Sequence, residues 1–320
     1  MRRSKGVTIG FLLVAGSLAA SSANQACAQN PMRVTVGQNM LSIHAEQQPL
    51  LHYRLDNAAS KPYARQLFSP AGLNVLRDAP ADHLHHHGLM FAVKVDGVNF
   101  WEERRGCGRQ VHRSLGNISI YQRHNLPAAA FTEQIDWTDS DPQKILLKEV
   151  RTIEVARSND LSVTLLIWQS IFEAPPGKES VTLTGSHYHG LGMRFLESMD
   201  RTGKFQNPDG KAGEVFRGDE RLLRSTWCAY TADANGRPVT VAMFDHPDNP
   251  RHPATWFTMA KPFAYLSATL SLHTEPLNVT SGKPLVLRYA VALWDAQVAP
   301  QQIDRLYRQW TAWPALPTGK

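Results

Sequence analysis

The sequence predicts a mainly β protein: a large, supersandwich-like stack of antiparallel sheets closed by one C-terminal helix. Three observations carry that expectation. Alternating or β-branched segments recur along the chain, clusters such as "SNDL", "APPGKE" and "NPDGKAGE" separate them, and no amphipathic helical stripes intervene. Many strands without crossover helices favour antiparallel sheets packed face to face over a doubly wound parallel sheet.

The first 28 residues stand apart from this pattern. "MRRSKGVTIGFLLVAGSLAASSANQACAQN" has a basic start (Arg2, Arg3, Lys5), an apolar run from Val7 to Ala20 and an Ala26-Cys27-Ala28 cleavage site. That order is an export signal, so residues 1–28 are expected to be a signal peptide and residues 29–320 one β-sandwich domain, periplasmic or secreted. Acylation at Cys27 lacks its usual upstream Leu or Val. The apolar run is shorter than the ~20 residues that span a bilayer, so no transmembrane anchor is expected after cleavage. Cleavage removes three basic residues and no acidic one, taking the formal charge from +6 to +3. Such a mild, scattered excess points to no nucleic-acid partner. Cys107 and Cys228 remain, and sequence alone cannot pair them.

The strand segments follow in order: "RVTV", "LSIHA", "LLHYRL", "GNISIYQ", "FTEQIDW", "ILLKEVRTIEVA", "LSVTLLIWQSIF", "VTLTGSH", "VTVAMF", "YLSATLSL" and "LVLRYAVALW". After Pro300 the period changes. In "QQIDRLYRQWTAW", Ile303, Leu306, Tyr307 and Trp310 fall at i, i+3, i+4 and i+7, which predicts a helix over about 301–313 docked on the sandwich by that face.

Four stretches carry candidate chemistry. In "DHLHHHG", four of the thirteen histidines occupy positions 83 to 87, in a loop feeding an apolar strand. Loops on a rigid β-scaffold are where functional side chains gather, and closely spaced imidazoles suit acid–base work or a divalent ion. His83, His85 and His86 are therefore candidate catalytic groups and candidate metal ligands. Downstream, "NFWEERRGCGRQVHR" offers Trp101, Glu102 and His112 as substrate-binding groups, since an aromatic face packs on sugar C–H bonds while carboxylates take hydroxyls. The alternative for Trp101 is a core side chain. "GSHYHGLGMRF" supplies Tyr188 as a candidate acid or base and Arg194 as an oxygen anchor. The proline-stiffened "FDHPDNPRHPATWF" supplies His246 as catalytic and Arg251 and His252 as substrate-binding candidates, completing a site begun at His83. Dinucleotide-binding, Walker, G-x-S-x-G and H-E-x-x-H motifs are missing, so no nucleotide cofactor is expected.

Taken together, "DHLHHHGL", "DGVNFW", "GLGMRF" and "DHPDNPRHP" resemble a bacterial family of uncharacterised proteins labelled methane oxygenase PmoA, over about Tyr63 to Trp294. Two positions depart from its first motif: Leu84 stands where the family has Pro, and His87 where it has Arg. The resemblance thus supports His83, His85 and His86 and leaves His87 apart. It implies an exported β-sandwich of the sort seen in sugar-active proteins.

The resulting expectation is an exported carbohydrate-active enzyme, a lyase or hydrolase, that cleaves a glycoside or oxidised sugar by elimination or hydrolysis, with a divalent metal ion as an optional aid. The alternatives are a non-catalytic carbohydrate-binding protein, in which the same residues line a groove, and a soluble metal-dependent oxygenase.

Overall fold

The computed structural model describes residues 1, 32–56, 59–158 and 162–316; the expected cleavage point near Ala28 lies outside them. The chain is mainly β, as the patterning predicts. Strands are numbered β1 to β22 in chain order. One antiparallel sheet has ten strands. Its order is β1 (Met32–Val36), β2 (Met40–Ala45), β3 (Gln48–Arg54), β4 (Tyr63–Leu67), β5 (Leu89–Ala92), β13 (Gly190–Arg194), β20 (Tyr265–Thr269), β19 (Thr255–Met259), β16 (Glu220–Arg224) and β15 (Glu214–Arg217). A second has eight: β14 (Lys204–Gln206), β17 (Trp227–Ala234), β18 (Arg237–Asp245), β22 (Leu285–Trp294), β11 (Val163–Glu173), β10 (Ile145–Ser158), β9 (Leu126–Thr138) and β8 (Arg109–Arg123). A small third sheet runs β21 (Leu277–Thr280), β12 (Ser180–Thr184), β6 (Lys94–Val95) and β7 (Val98–Asn99).

Why the strands of the eight-stranded sheet read as unbroken apolar runs is visible in their two faces. Leu166, Trp168 and Phe172 of β11, Val239, Val241 and Met243 of β18, and Leu287, Tyr289, Val291 and Leu293 of β22 enter the main core. The intervening residues Val163, Leu165 and Ile167, Ala242 and Phe244, and Ala290, Ala292 and Trp294 face the other way, into a second core. Period-two alternation therefore buries both sides, and the helix α1 (Pro300–Thr311) covers the second one. It buries Ile303, Leu306, Tyr307 and Trp310, the four residues its spacing nominates. Pro300 starts it at little cost, because the first helical N–H has no intrahelical partner anyway. Cys107 and Cys228 are both free thiols, the latter buried.

One polar knot lies within this apolar stack. The side chain of Arg151 on β10 is fully buried and grips both oxygens of Glu149 at 2.8 and 2.9 Å. It also donates to the Tyr53 hydroxyl on β3 at 2.8 Å and the Pro62 carbonyl at 2.9 Å, bridging the two large sheets. Trp137 and Ser170 donate to Glu149, Tyr53 donates to Glu133, and the guanidinium lies 4.5 Å from the Trp168 ring. Each Glu149 oxygen thus accepts two hydrogen bonds from named strands, which is the condition for a buried charge to be tolerable. His112 belongs here, bonding Glu133 at 2.7 Å.

Removing the cation alone strands Glu149 and Glu133 in the core. Arg151→Ala is expected to lower unfolding stability by ~3–5 kcal/mol in urea titrations. A loss under ~1 kcal/mol would show that the knot does not join the sheets.

Candidate active site

The histidine loop is built to hold a shape. Asp78 and His87 pair across its neck, the Ala79 N–H bonds the His86 carbonyl, and successive turns run from His83 to Pro80 and from His86 to His83. The loop is therefore a closed bulge of turns, with no strand continuing through the histidines. Gly88 ends it with φ 33°; a Cβ there would meet the Ala64 carbonyl at 2.2 Å, so only glycine lets the chain pass so close to β4.

His87 is the rivet. Its Nδ1 lies 2.8 Å from Asp78 and its Nε2 2.9 Å from Glu103. Carboxylates only accept, so both ring nitrogens carry protons and the ring is cationic. Burial opposes that charge, but the bonds to Asp78 and Glu103 outweigh it and raise the pKa above the ordinary histidine value. Glu103 is held low in turn, burial being overcome by His87 and by the fully buried Lys61, 2.8 Å away. Tyr63 stacks on the imidazolium at 4.4 Å between ring centres.

The other three histidines face a pocket of about 230 Å³ lined by His83, His85, His86, Trp101, Glu102, Tyr188, Arg217, Glu220, Phe257, Met259, Phe263 and Tyr265. Phe257, Met259 and Tyr265 share one sheet face, since Met259 lies opposite Tyr265 and Phe257 is two residues further along β19. Gly192 on β13 makes room for the Tyr265 hydroxyl; a Cβ there would stand 2.1 Å from it. The opposite wall is the hairpin β15–β16, turned at Gly218 with φ 55° and pinned by Asp219, whose carboxylate accepts the Ala260 and Lys261 N–H groups at 2.8 Å.

Burial sets the protonation of the loop. His86 is pushed down to about 2, by burial first and then by His85, His83 and Arg194. Geometry agrees: Arg194 Nη1, a donor only, approaches His86 Nδ1 at 3.4 Å, which leaves the one ring proton on Nε2. His85 is lowered by burial, Lys61 and His83. Asp82 is held at about 2 against its own burial, chiefly by Arg194 at 2.9 Å.

The three rings as packed do not fit a single metal ion. His83 and His86 are stacked, 4.5 Å apart with an interplanar angle of 19°, and imidazole lone pairs lie in the ring plane, so the two cannot point at one ion. Among the described residues no group of three or more His, Cys, Asp or Glu is placed to hold a metal.

Of the residues nominated by sequence, His83, His85, His86, Trp101, Glu102 and Tyr188 meet in this pocket and the others do not. Trp101 forms its floor but is only 1% exposed, with His189 stacked on it at 4.9 Å, so it is no open platform. Arg194, also 1% exposed, sits behind the pocket, holding Asp82 and His86. His112 is part of the polar knot on the eight-stranded sheet. The proline-rich loop supplies nothing to the pocket: His246 bonds Arg288 and meets Trp310 of α1 edge-on, and His252 bonds Asp245. Arg251 caps the carbonyls of Leu270, Glu275 and Pro276. That loop ties β18 to β22, and its polar groups are spent on Asp245, Arg288 and nearby backbone. Glu220, Arg217, Phe257, Met259, Phe263 and Tyr265 were not nominated; the only trace of the first two is the turn-like "FRGDE".

Because His87 is charged only below its raised pKa, its anchoring is complete below the ordinary ~6.5 and lost as pH rises through the folded value. His87→Gln is expected to speed amide exchange of residues 79–87 at mildly acid pH, the difference fading in alkali where the native ring is neutral too. Equal exchange at every pH would deny the cation its role.

No curated protein matches the sequence. Solved structures similar to it include an α-galactosidase from Lactobacillus brevis, 7% identical over 88% of this chain and 42% of that one, with a TM-score of 0.46. A GH36 α-galactosidase from Geobacillus stearothermophilus in complex with 1-deoxygalactonojirimycin is 9% identical over 87% of this chain and 43% of that one, TM-score 0.48. A galactose mutarotase related enzyme from Lactobacillus acidophilus is 7% identical over 83% of this chain and 100% of that one, TM-score 0.33. The chain spans about two fifths of the length of the α-galactosidases. At these TM-scores the likenesses carry nothing about the chemistry of the pocket. The profile of a family of unknown function, DUF6807, matches residues 40–308.

Proposed function

The chain belongs to DUF6807, a family of unknown function, and we propose that it is an exported carbohydrate-active enzyme whose pocket takes one neutral sugar ring and hydrolyses its glycosidic bond. The observation that carries this reading is the lining itself: Glu102, Glu220 and Tyr188 meet His85 and His86 beside Phe257, Phe263 and Tyr265. Aromatic and apolar surface suits the C–H side of a pyranose, while carboxylates and neutral imidazoles take its hydroxyls. Ligand pockets usually run to ~300–1,000 Å³, so the volume favours a single ring at the end of a longer molecule over an internal stretch of polymer.

Hydrolysis suits the charges better than elimination. Removing a proton beside a sugar carboxylate needs a free cation to neutralise that carboxylate. Among the described residues lining the pocket the one Lys or Arg is Arg217, and it is engaged at 2.6 Å with Glu220. Arg194 and Lys61, behind the pocket, are engaged with Asp82 and Glu103. A neutral glycoside asks for no such cation, and its C–O bond yields to a pair of proton-transfer groups.

The test is a panel of neutral disaccharides and aryl glycosides in both anomeric configurations, scored by sugar release, beside uronate oligosaccharides scored for unsaturated products. Release from a neutral glycoside is expected, with Glu220→Gln lowering kcat by ~10²–10⁴ and His85→Ala/His86→Ala lowering kcat/KM without altering the β spectrum. Saturable sugar binding without turnover on the whole panel would favour the non-catalytic reading, and unsaturated products would favour elimination.

A further inference from the structure

The sheet face beneath the pocket continues past it. Side chains two apart on a strand share a face, so Glu220, Leu222 and Arg224 line up along β16. Beside them on β19 stand Met259, Phe257 and Thr255, with Leu222 opposite Phe257 and Arg224 opposite Thr255. Glu220, Met259 and Phe257 belong to the pocket. Leu222, Arg224 and Thr255 line a second, open cavity of about 750 Å³, walled by Glu214 of β15 and by Ser271 and His273 after β20. A stacked pair divides the two. β15 and β16 lose register between Val215 and Arg217, and at this bulge Phe216 stacks on His187 at 3.8 Å. Phe257 and His273, one from each cavity, stand 5.5 and 6.2 Å from that imidazole. The Nε2 of His187 lies 3.1 Å from Glu220 Oε2, so the divider and the pocket's carboxylate form one unit at the boundary.

We infer that this second cavity is the leaving-group subsite of the hydrolysis proposed above, on which the inference rests. The substrate is then a neutral oligosaccharide whose terminal ring enters the pocket while its remaining rings cross Phe216 into the cavity. Position, size and charge each support this. Glu220 is two residues from Leu222, a step of about 7 Å along β16 and the scale of one sugar unit, so the bond between a ring in the pocket and its neighbour falls beside Glu220. The pocket closes round a single ring, whereas the cavity has about three times its volume and sits within the ~300–1,000 Å³ usual for ligand sites. Phe216, at the crossing, is still 47% exposed and offers an aromatic surface to sugar C–H bonds. The cations lining the cavity are engaged: Arg224 donates to the His252 carbonyl at 3.2 Å, and Lys211 pairs with Asp209 at 3.3 Å. What remains for a ligand is the Thr255–Ser271 hydroxyl pair, 3.0 Å apart, and the exposed His273, a lining for hydroxyls.

Binding and cleavage are read separately. In the full chain, side-chain resonances of the pocket and cavity are followed by NMR during titration with the methyl glycosides of neutral α- and β-linked gluco- and galacto-oligosaccharides of one to four units. The one-ring glycosides are expected to shift His85 and His86, and the three- and four-ring ones to shift Phe216 and His273 as well and to bind ~10-fold tighter or more. Leu222→Trp, which fills the cavity, and His273→Ala, on its exposed loop, should each flatten that gain with chain length. Digestion of a tetrasaccharide that binds should release one monosaccharide and a trisaccharide as first products. Equal affinity for one ring and four, shifts at His273 without shifts at His85 and His86, or disaccharides as first products overturn the subsite even if aryl glycosides are cleaved. A panel on which nothing binds overturns it as well. If the length-dependent binding appears but no glycoside is cleaved, the hydrolase reading falls and takes the leaving-group role with it.

Discussion

A buried cation with a carboxylate on each ring nitrogen is the constraint from which the rest of the site follows. His87 stitches Asp78, at the start of the loop, to Glu103, two residues past Trp101, and Glu103 reaches on to Lys61 and Ser60 ahead of β4. Three stretches far apart in the chain are thereby fixed to one point. Polar turns have no apolar face of their own to bury, so the loop's shape rests on this stitching and on Arg194, which holds Asp82 and His86 from the neighbouring strand β13. Within that frame His86 is desolvated and neutral while His87, the next residue and also buried, is charged, because only His87 has carboxylates on its ring nitrogens to offset burial.

The same frame explains how a pocket with few charges keeps its carboxylates. Each cation near it is matched to an acid: Arg217 to Glu220 within the lining, and Arg194 and Lys61 to Asp82 and Glu103 behind it. Sugar hydroxyls would then meet acceptors that are already oriented and aromatic rings that are already packed. Little needs ordering on binding, which favours affinity for a ligand that itself carries no charge.

Much of this was legible in the sequence. Strand alternation and turn clusters announce an antiparallel β protein, and the spacing of Ile303, Leu306, Tyr307 and Trp310 announces the helix and its buried face. The crowding of His83, His85 and His86 announces the pocket. What misled was the second histidine-bearing loop. His246 and His252 look as functional as the first cluster, but nothing in a linear sequence says that β18 lies in the opposite sheet from β19, and residue type does not reveal that Asp245, Asn249 and Arg288 claim their loop for backbone support. Glu220 was hidden for the converse reason. A charged residue after a tight turn is ordinary surface in most hairpins, and only the sheet order β13, β20, β19, β16 carries it across to the histidines.

That order sets a ruler. Arg194, behind the histidine loop, is carried by β13 and Glu220 by β16, with β20 and β19 between them as the floor. Strands in a sheet repeat at about 4.8 Å, so the walls stand some three spacings apart, on the order of 14 Å before side chains intrude. Such a gauge changes in whole strands and cannot be widened by degrees. Side-chain replacements along the floor would retune which hydroxyls are read, but a bulkier guest would require the edge hairpin to detach or the sheet to acquire another strand.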